Sequence, residues 1–362
     1  AFDFATPVCG VIVGYPDTDG VIKPLGDLAA RAHDAGALLC VSADLLALTV
    51  LESPGAQGAD IVFGNSQRFG VPLGNGGPHA AFLGAREKYQ RTMPGRIIGV
   101  SRDVDGNPAL RMALQTREQH IRRDRATSNI CTAQVLLAVI AGMYAVWHGP
   151  EGLTNIAMRA HRLATRLAAG LRVHGLQTTE HFFDTVRVTG ADVDAVLAAA
   201  TDHRINLRRD GDALIIALDE TCSVQDVQDV LDCFGAALAA GTEDALPAAL
   251  VRQSAFCDDP VFHIHRSETD MLRYLHRLEA KDLALNTAMI PLGSCTMKLN
   301  ATTEMIPVTF AGFGNLHPFA PPSQAAGYAK LHTDLEAWLA EITGFHAVSL
   351  QPNAGSQGEY TG

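Results

Sequence analysis

Three short apolar runs, each followed by a polar turn, constrain this chain more than any other feature. They are Val8-Cys9-Gly10-Val11-Ile12-Val13, Ala37-Leu38-Leu39-Cys40-Val41-Ser42 and Ala59-Asp60-Ile61-Val62-Phe63-Gly64. Continuous apolar strands separated by helical spacing predict an α/β fold whose parallel sheet is covered on both faces. Between the first two runs, the apolar spacing predicts a helix from about Leu25 to Asp34, ending at Gly36. Ligands of such sheets sit beyond the carboxyl ends of the strands. Asp44 follows the second run, and Asn65-Ser66-Gln67-Arg68 follows the third.

Further along the texture changes. Residues Asn129 to Trp147 predict a buried helix, and residues 151–170 a second one with Arg159, Arg162 and Arg166 on a polar face. A compact α+β stretch follows. It has a strand at 183–188, a helix at 192–200, a hairpin around Asp210-Gly211-Asp212, and a helix at 224–234 capped by Ser223. Residues 236–265 read as a linker, and Ser267 to Ala280 as a helix capped by Ser267. Residues 284–323 are broken by prolines yet rich in apolar types, the mark of an ordered functional loop. A helix from Ala325 to Ile342 precedes a short apolar run, Ala347-Val348-Ser349-Leu350, expected to be a buried strand. Small residues then crowd into Pro352 to Gly362, where a strand-to-helix turn offers free N–H groups to an anion. Gly355-Ser356-Gln357-Gly358 lacks the Gly-Lys-Ser/Thr of a P-loop and is no dinucleotide fingerprint, so one phosphate on one ligand fits better.

Bulk properties narrow the function classes. A net charge of −11 disfavours general binding to nucleic acid or an anionic membrane surface. No apolar stretch reaches the length of a membrane span. The seven cysteines form no C-x-x-C pair and no zinc spacing, which suggests a reducing compartment and no metal site. The chain opens at Ala1 close to a strand and reads as a piece of a longer polypeptide, so its start says little about targeting.

Several residues carry two readings. Asp44 either caps Leu45-Leu46-Ala47-Leu48 or partners a heterocyclic ring nitrogen, as aspartates do in pyridoxal-phosphate enzymes. The glycine-dense stretch from Gly64 to Phe82 is a plain connection or an active-site wall. Arg111, Arg117, Arg122, Arg123 and Arg125, with His120, form a solvated face or a carboxylate or phosphate site. Lys298 is a surface charge or, if buried, an imine-forming amine, and Cys295 is a buried thiol or a nucleophile without an identifiable histidine. His317, before Pro318 in a loop, is equally open to a structural or a functional role.

Taken together, several segments resemble the glycine cleavage system P-protein family, the pyridoxal-phosphate-dependent glycine decarboxylases. They are Gln67 to Pro72, Gly76 to Phe82, Met93 to Arg96, Ala113 to Arg123, Ala126 to Gln134, Leu218 to Thr221, Pro291 to Asn300 and Gln351 to Tyr360. The resemblance runs through nearly the whole chain. It implies a fold-type-I, aminotransferase-like transferase fold present twice in one long polypeptide, only partly represented here. On that view residues 1–150 are the later part of a first, non-catalytic large domain with a parallel-rich sheet. Residues 151–250 are its α+β small domain, and residues 251–362 are a linker and the start of a second, cofactor-binding half.

The resemblance also implies site residues. Asn353, Gly355, Ser356 and Gln357 would hold the phosphate of pyridoxal 5'-phosphate, and the Schiff-base lysine would follow Gly362. In the first half Gln67 stands where that lysine would be, so the site is degenerate, with Asp44 a relic of the ring-nitrogen partner. Asn75 replaces an expected tyrosine, which weakens the case for a channel contact there. Thr296, Lys298 and His317 are the near-site candidates of the second half. The implied reaction decarboxylates glycine and passes the aminomethyl group to the lipoyl arm of the H-protein, alongside the other glycine cleavage components. The implied assembly is a homodimer or a heterotetramer of two halves. Alanine-rich composition points to a bacterial cytoplasm, with the mitochondrial matrix as the alternative. Two other readings remain: a non-catalytic scaffold of the same fold, and another fold-type-I enzyme.

Overall fold

The apolar runs near the start form strands β1 (Gly10–Tyr15), β2 (Leu38–Ala43) and β3 (Ile61–Asn65), with helix α1 (Gly26–Asp34) in the first crossover. The structure is a computed structural model describing residues 2–93, 95–114, 119–126, 135–239, 245–281, 302–352, 358 and 360–362. Both strand pairs are parallel, with Ile12 opposite Cys40 and Val41 opposite Val62. Strand β4 (Ala81–Ala85) adds to β3 and completes the order β1-β2-β3-β4. Leu39, Val41 and Ala43 bury one face of β2, whereas Ile12 on β1 is exposed. Cover on both faces, expected from the continuous apolar runs, is therefore only partial.

Strands β5 (Ile97–Arg102) and β6 (Pro108–Ala113) make a separate antiparallel hairpin. Asp103 organises its turn by accepting from the N–H groups of Asp105 and Asn107 at 2.9 and 2.8 Å. Helix α2 (Val135–Val173) takes in the second expected helix and residues 135–147 of the first, whose start at 129–134 lies outside the described residues; it is divided at Gly149 (φ 61°, ψ −178°), with Pro150 opening the second limb. Arg266 Nη1 donates to the Val146 and Trp147 carbonyls at 2.6 and 2.9 Å, satisfying acceptors that the break releases. Burial was expected throughout the first limb, but Val135 and Leu136 are exposed and only later residues such as Ala141, Ala145 and Val146 are buried.

The α+β stretch contains β7 (Gln177–Thr178), β8 (Thr185–Thr189), α3 (Val193–Asp202), β9 (Arg208–Asp210), β10 (Ala213–Ala217) and α4 (Val224–Cys233). Its sheet is antiparallel in the order β7-β8-β10-β9. Asp192 caps α3 through the Ala195 N–H, and Ser223 with Asp226 forms a reciprocal capping box at the start of α4. The second limb of α2 serves two cores. Leu167 and Leu171 pack with Val186, Leu214 and Leu231, while Leu153 and Ala157 pack with Leu39 and Leu46 of the parallel-sheet side. Adjacent Phe182 and Phe183, at the bend before β8, point into these two cores separately.

Two compact units result. One comprises residues 1–70, 81–84 and 139–275, and the other residues 71–80, 85–138 and 276–362. In the first unit much of the stretch read as a linker is packed: Leu246 and Leu250 are buried and Val251 bridges to Leu51. Helix α5 (Glu268–Glu279) starts at Ser267, whose Oγ accepts from Asp270 N at 3.2 Å. The second unit holds α6 (Ala326–Thr343), closed by Gly344 in the left-handed conformation. The buried strand expected at Ala347–Leu350 is not formed: the segment joins no ladder, with Ala347 and Ser349 exposed. An apolar run becomes a strand only when a neighbour takes its N–H and C=O groups, and none does so among the described residues. No described helix is long and apolar enough to cross a membrane.

Candidate functional site

The carboxyl ends of β1, β2 and β3 open on a hollow of about 590 Å³. Asp17, Ser42, Asp44, Asn65, Gln67 and Arg68 supply its main polar lining. The turn after β3 aims Arg68. Asn65 Oδ1 accepts from Gln67 N at 3.0 Å, and the Ser66 carbonyl accepts from Phe69 N at 2.9 Å. Phe69 is buried against Tyr144, their ring centroids 5.8 Å apart. Gly70 follows at φ +77°, and the Tyr144 ring lies 2.6 Å from where a Cβ would stand.

Arg68 is 17% exposed and reaches three carboxylates. Nη1 donates to Asp44 Oδ2 at 2.6 Å and also to Asp184 Oδ2. Nε and Nη2 donate to Glu220 Oε2 at 3.1 and 3.0 Å. The guanidinium carbon lies 5.5 Å from the Phe183 ring centroid. Asp44 follows β2, Asp184 precedes β8, and Glu220 lies between β10 and α4, so this cluster ties the parallel sheet to the α+β subdomain. Arg159 steadies the acidic corner by donating to the carbonyls of Glu220 and Cys222 at 2.8 and 2.6 Å.

Charge in this cluster is unbalanced, three acids facing one guanidinium. Burial alone would lower the Arg68 pKa, but the fields of Asp44, Asp184 and Glu220 outweigh it and raise it. Burial pushes the Asp184 carboxyl up; Arg68 opposes the rise and Asp44 adds to it. Burial would also raise Asp219, but hydrogen bonds from the Thr221 hydroxyl and N–H overcome it and hold this carboxyl below its ordinary range.

Asp44 and Gln67, the two first-half candidates, line the same hollow. Asp44 caps the next turn, Oδ1 accepting from Leu46 N at 2.8 Å, while its other oxygen is committed to Arg68. A pyridoxal ring needs a free aspartate for its ring nitrogen and a lysine for its aldehyde. Here the aspartate is taken and, among the described residues, no lysine lines the hollow, so these residues do not fit that cofactor. Thr296, Lys298, Asn353, Gly355, Ser356 and Gln357 lie outside the described residues.

His317 belongs to a separate place, in the second unit. Its Nδ1 accepts from Phe319 N at 3.0 Å, and the residue is exposed. Beside it the glycine-dense loop is pinned by backbone bonds from Gly74 N to Gly314 O at 2.8 Å and from Asn75 N to Leu316 O at 2.9 Å. Asn75 is thus bonded through its backbone to Leu316, the residue before His317. In the arginine-rich segment, Arg111 is on β6 and Arg122, Arg123 and Arg125 are exposed, whereas Arg117 is outside the described residues. Among the described residues no group of three or more His, Cys, Asp or Glu side chains is placed to hold a metal.

Sequence reasoning missed the partnership of Arg68 with Asp184 and Glu220. Arg68 and Glu220 lie in segments that carry the family resemblance, Gln67–Pro72 and Leu218–Thr221, but nothing local pairs them with each other or with Asp184. The pairs are separated by 116 and 152 residues, and no periodicity links positions that far apart.

The family model for the glycine cleavage system P-protein matches residues 2–234. A glycine dehydrogenase (decarboxylating) of Xanthomonas oryzae pv. oryzae is 60% identical over 359 residues, covering 98% of this chain and 36% of its own length. One from Synechocystis sp. is 55% identical over 374 residues, covering 100% of this chain and 38% of its own length. This chain therefore spans less than two-fifths of the length of these curated relatives. Among solved structures, a glycine decarboxylase (P-protein) of the glycine cleavage system in inhibitor-bound form superimposes with a TM-score of 0.57. That match is at 35% identity over 63% of this chain and 54% of the other.

Proposed function

Because this chain belongs to the glycine cleavage system P-protein family, we propose that it serves glycine decarboxylation as the first-half module and the opening of the second half. Its fold is the fold-type-I transferase architecture, partly represented. The reading rests chiefly on continuous identity of 60% to a glycine dehydrogenase (decarboxylating) across 98% of the chain. Substrate and partner follow from that reading: glycine is decarboxylated, and the aminomethyl group passes to the lipoyl arm of the H-protein.

The first-half hollow takes no direct part in the chemistry. Gln67 offers no amine for an imine, and Arg68 holds the carboxylate that a ring nitrogen would require. Pyridoxal phosphate, as an electron sink for the loss of a carboxylate, belongs to the second half. There Asn353, Gly355, Ser356 and Gln357 would hold its phosphate, with Thr296, Lys298 and His317 near it. The compartment proposed is the bacterial cytoplasm, since both curated relatives compared are bacterial.

Carboxyl exchange tests this reading. The complete polypeptide containing this chain, incubated with glycine, labelled bicarbonate and a lipoyl-bearing H-protein, is expected to label the glycine carboxylate only when the carrier is present. Equally rapid labelling without the carrier, or none with it, would overturn the assignment.

A further inference from the structure

Of everything near the strand ends, Arg68 is the group whose environment the proposed chemistry leaves unexplained. Its side chain sits where the sheet would present a ligand, and every donor edge of its fork faces a carboxylate. These acids come from three separate places in the chain, 24, 116 and 152 residues away. We propose that Arg68 is a positioning residue whose guanidinium stands in for a bound ligand and locks the α+β subdomain shut on the end of the parallel sheet. The chain thus places its own cation among three acids at the rim of the strand-end hollow.

The geometry explains why arginine is required. A guanidinium is planar and carries five donors in a fixed fork, so one side chain can serve three acids lying in different directions. A lysine ammonium is a single point charge and can satisfy only part of the set. Removing the cation leaves Asp44, Asp184 and Glu220 facing one another, part-buried and uncompensated, which is the costly way to break such a cluster. Other contacts along the same joint place the two layers but do not neutralise these acids. Ile22 N donates to the His181 carbonyl at 3.1 Å, and Val21 bridges to Phe182.

The test is chemical rescue of this chain. Arg68→Ala is expected to lower the melting temperature by about 10 °C. It should also raise amide exchange selectively in segments 182–188 and 218–222. Millimolar methylguanidinium, below denaturing strength, is expected to recover about half of that loss by binding the vacated acids. Equal concentrations of potassium or tetramethylammonium should not, and Arg68→Lys should fall between the two. Should Arg68→Ala fail to fold, Glu220→Gln keeps two acids on the arginine. It is then expected to fold, melt a few degrees lower and show the same localised exchange. An unchanged melting temperature in Arg68→Ala overturns the proposal. So does equal recovery by every cation, full restoration by lysine, or unaltered exchange in Glu220→Gln.

Discussion

Leu214 on β10 and Trp338 on α6 are both large apolar residues within regular elements, yet they are 1% and 59% exposed. The α+β subdomain around Leu214 satisfies its own pattern: inward residues of β8 and β10 meet the apolar faces of α2 and α4. Helix α6 presents Leu331, Leu335, Trp338 and Ile342 at helical spacing, and all four are exposed. Equal local patterns thus have unequal outcomes. Periodicity is enough to specify an element, but burial requires a second element whose pattern faces the first.

The comparison breaks most visibly through the core. Leu214→Ala is expected to destabilise the first unit by about 2–5 kcal/mol, read by urea or thermal unfolding, because it removes buried methyl groups and leaves a cavity. A loss under about 1 kcal/mol would mean that this core repacks freely.

Next in size is a pair of glycines. Gly20 (φ +79°) lies against the Thr185 backbone, so a methyl group there collides with the joint between sheet and subdomain. Gly36 has nearly the same φ, +73°, and open space around it. Gly20→Ala is expected to cost about 2 kcal/mol or more, and Gly36→Ala about 1 kcal/mol from backbone strain alone. Equal costs would show that close approach at Gly20 contributes nothing beyond its dihedral angle.

Acid titration sharpens the contrast at the strand ends. The Asp184 carboxyl, facing Arg68, Asp44 and Glu220, is raised in the folded state, chiefly by burial. A raised acid binds more protons folded than unfolded, so its contribution to stability falls as pH rises from the ordinary aspartate range to its raised value. Asp184→Asn, which keeps an oxygen for Arg68 but cannot ionise, is expected to remove that decline from a plot of melting temperature against pH. A slope identical to the parent's would show that Asp184 titrates as an ordinary aspartate. The smallest effect belongs to the exposed helix: Trp338→Ala should change the stability of this chain by no more than about 0.5 kcal/mol.

Much of the fold was legible because its signals are local. Continuous apolar runs marked β1, β2 and β3, Gly36 marked the end of the first helix, and Ser223 marked the start of α4 through a hydroxyl that accepts from Asp226 N. Where the reading failed, the missing information was non-local. Val135 and Leu136 had the composition of a buried helix but lie in solvent, and Ala347–Leu350 had that of a strand but found no ladder. The candidate site divided in the same way. Its location beyond the strand ends followed from the α/β pattern, which brought Asp44 and Gln67 into view, while Asp184 and Glu220 stayed hidden.

From the sequence alone came the order of the first three strands and their helix, the elements of the α+β stretch from β8 to α4, and the placement of Asp44, Gln67 and Arg68 beyond strand ends. Hydrophobic period, capping and turn chemistry act over a few residues, so they can be read along a line. Only the tertiary structure decided that Arg68 joins three acids and that Asp44 is committed to it rather than free for a ligand. Electrostatic attraction depends on distance through space, and those distances exist only after the sheet and the α+β subdomain have closed on each other.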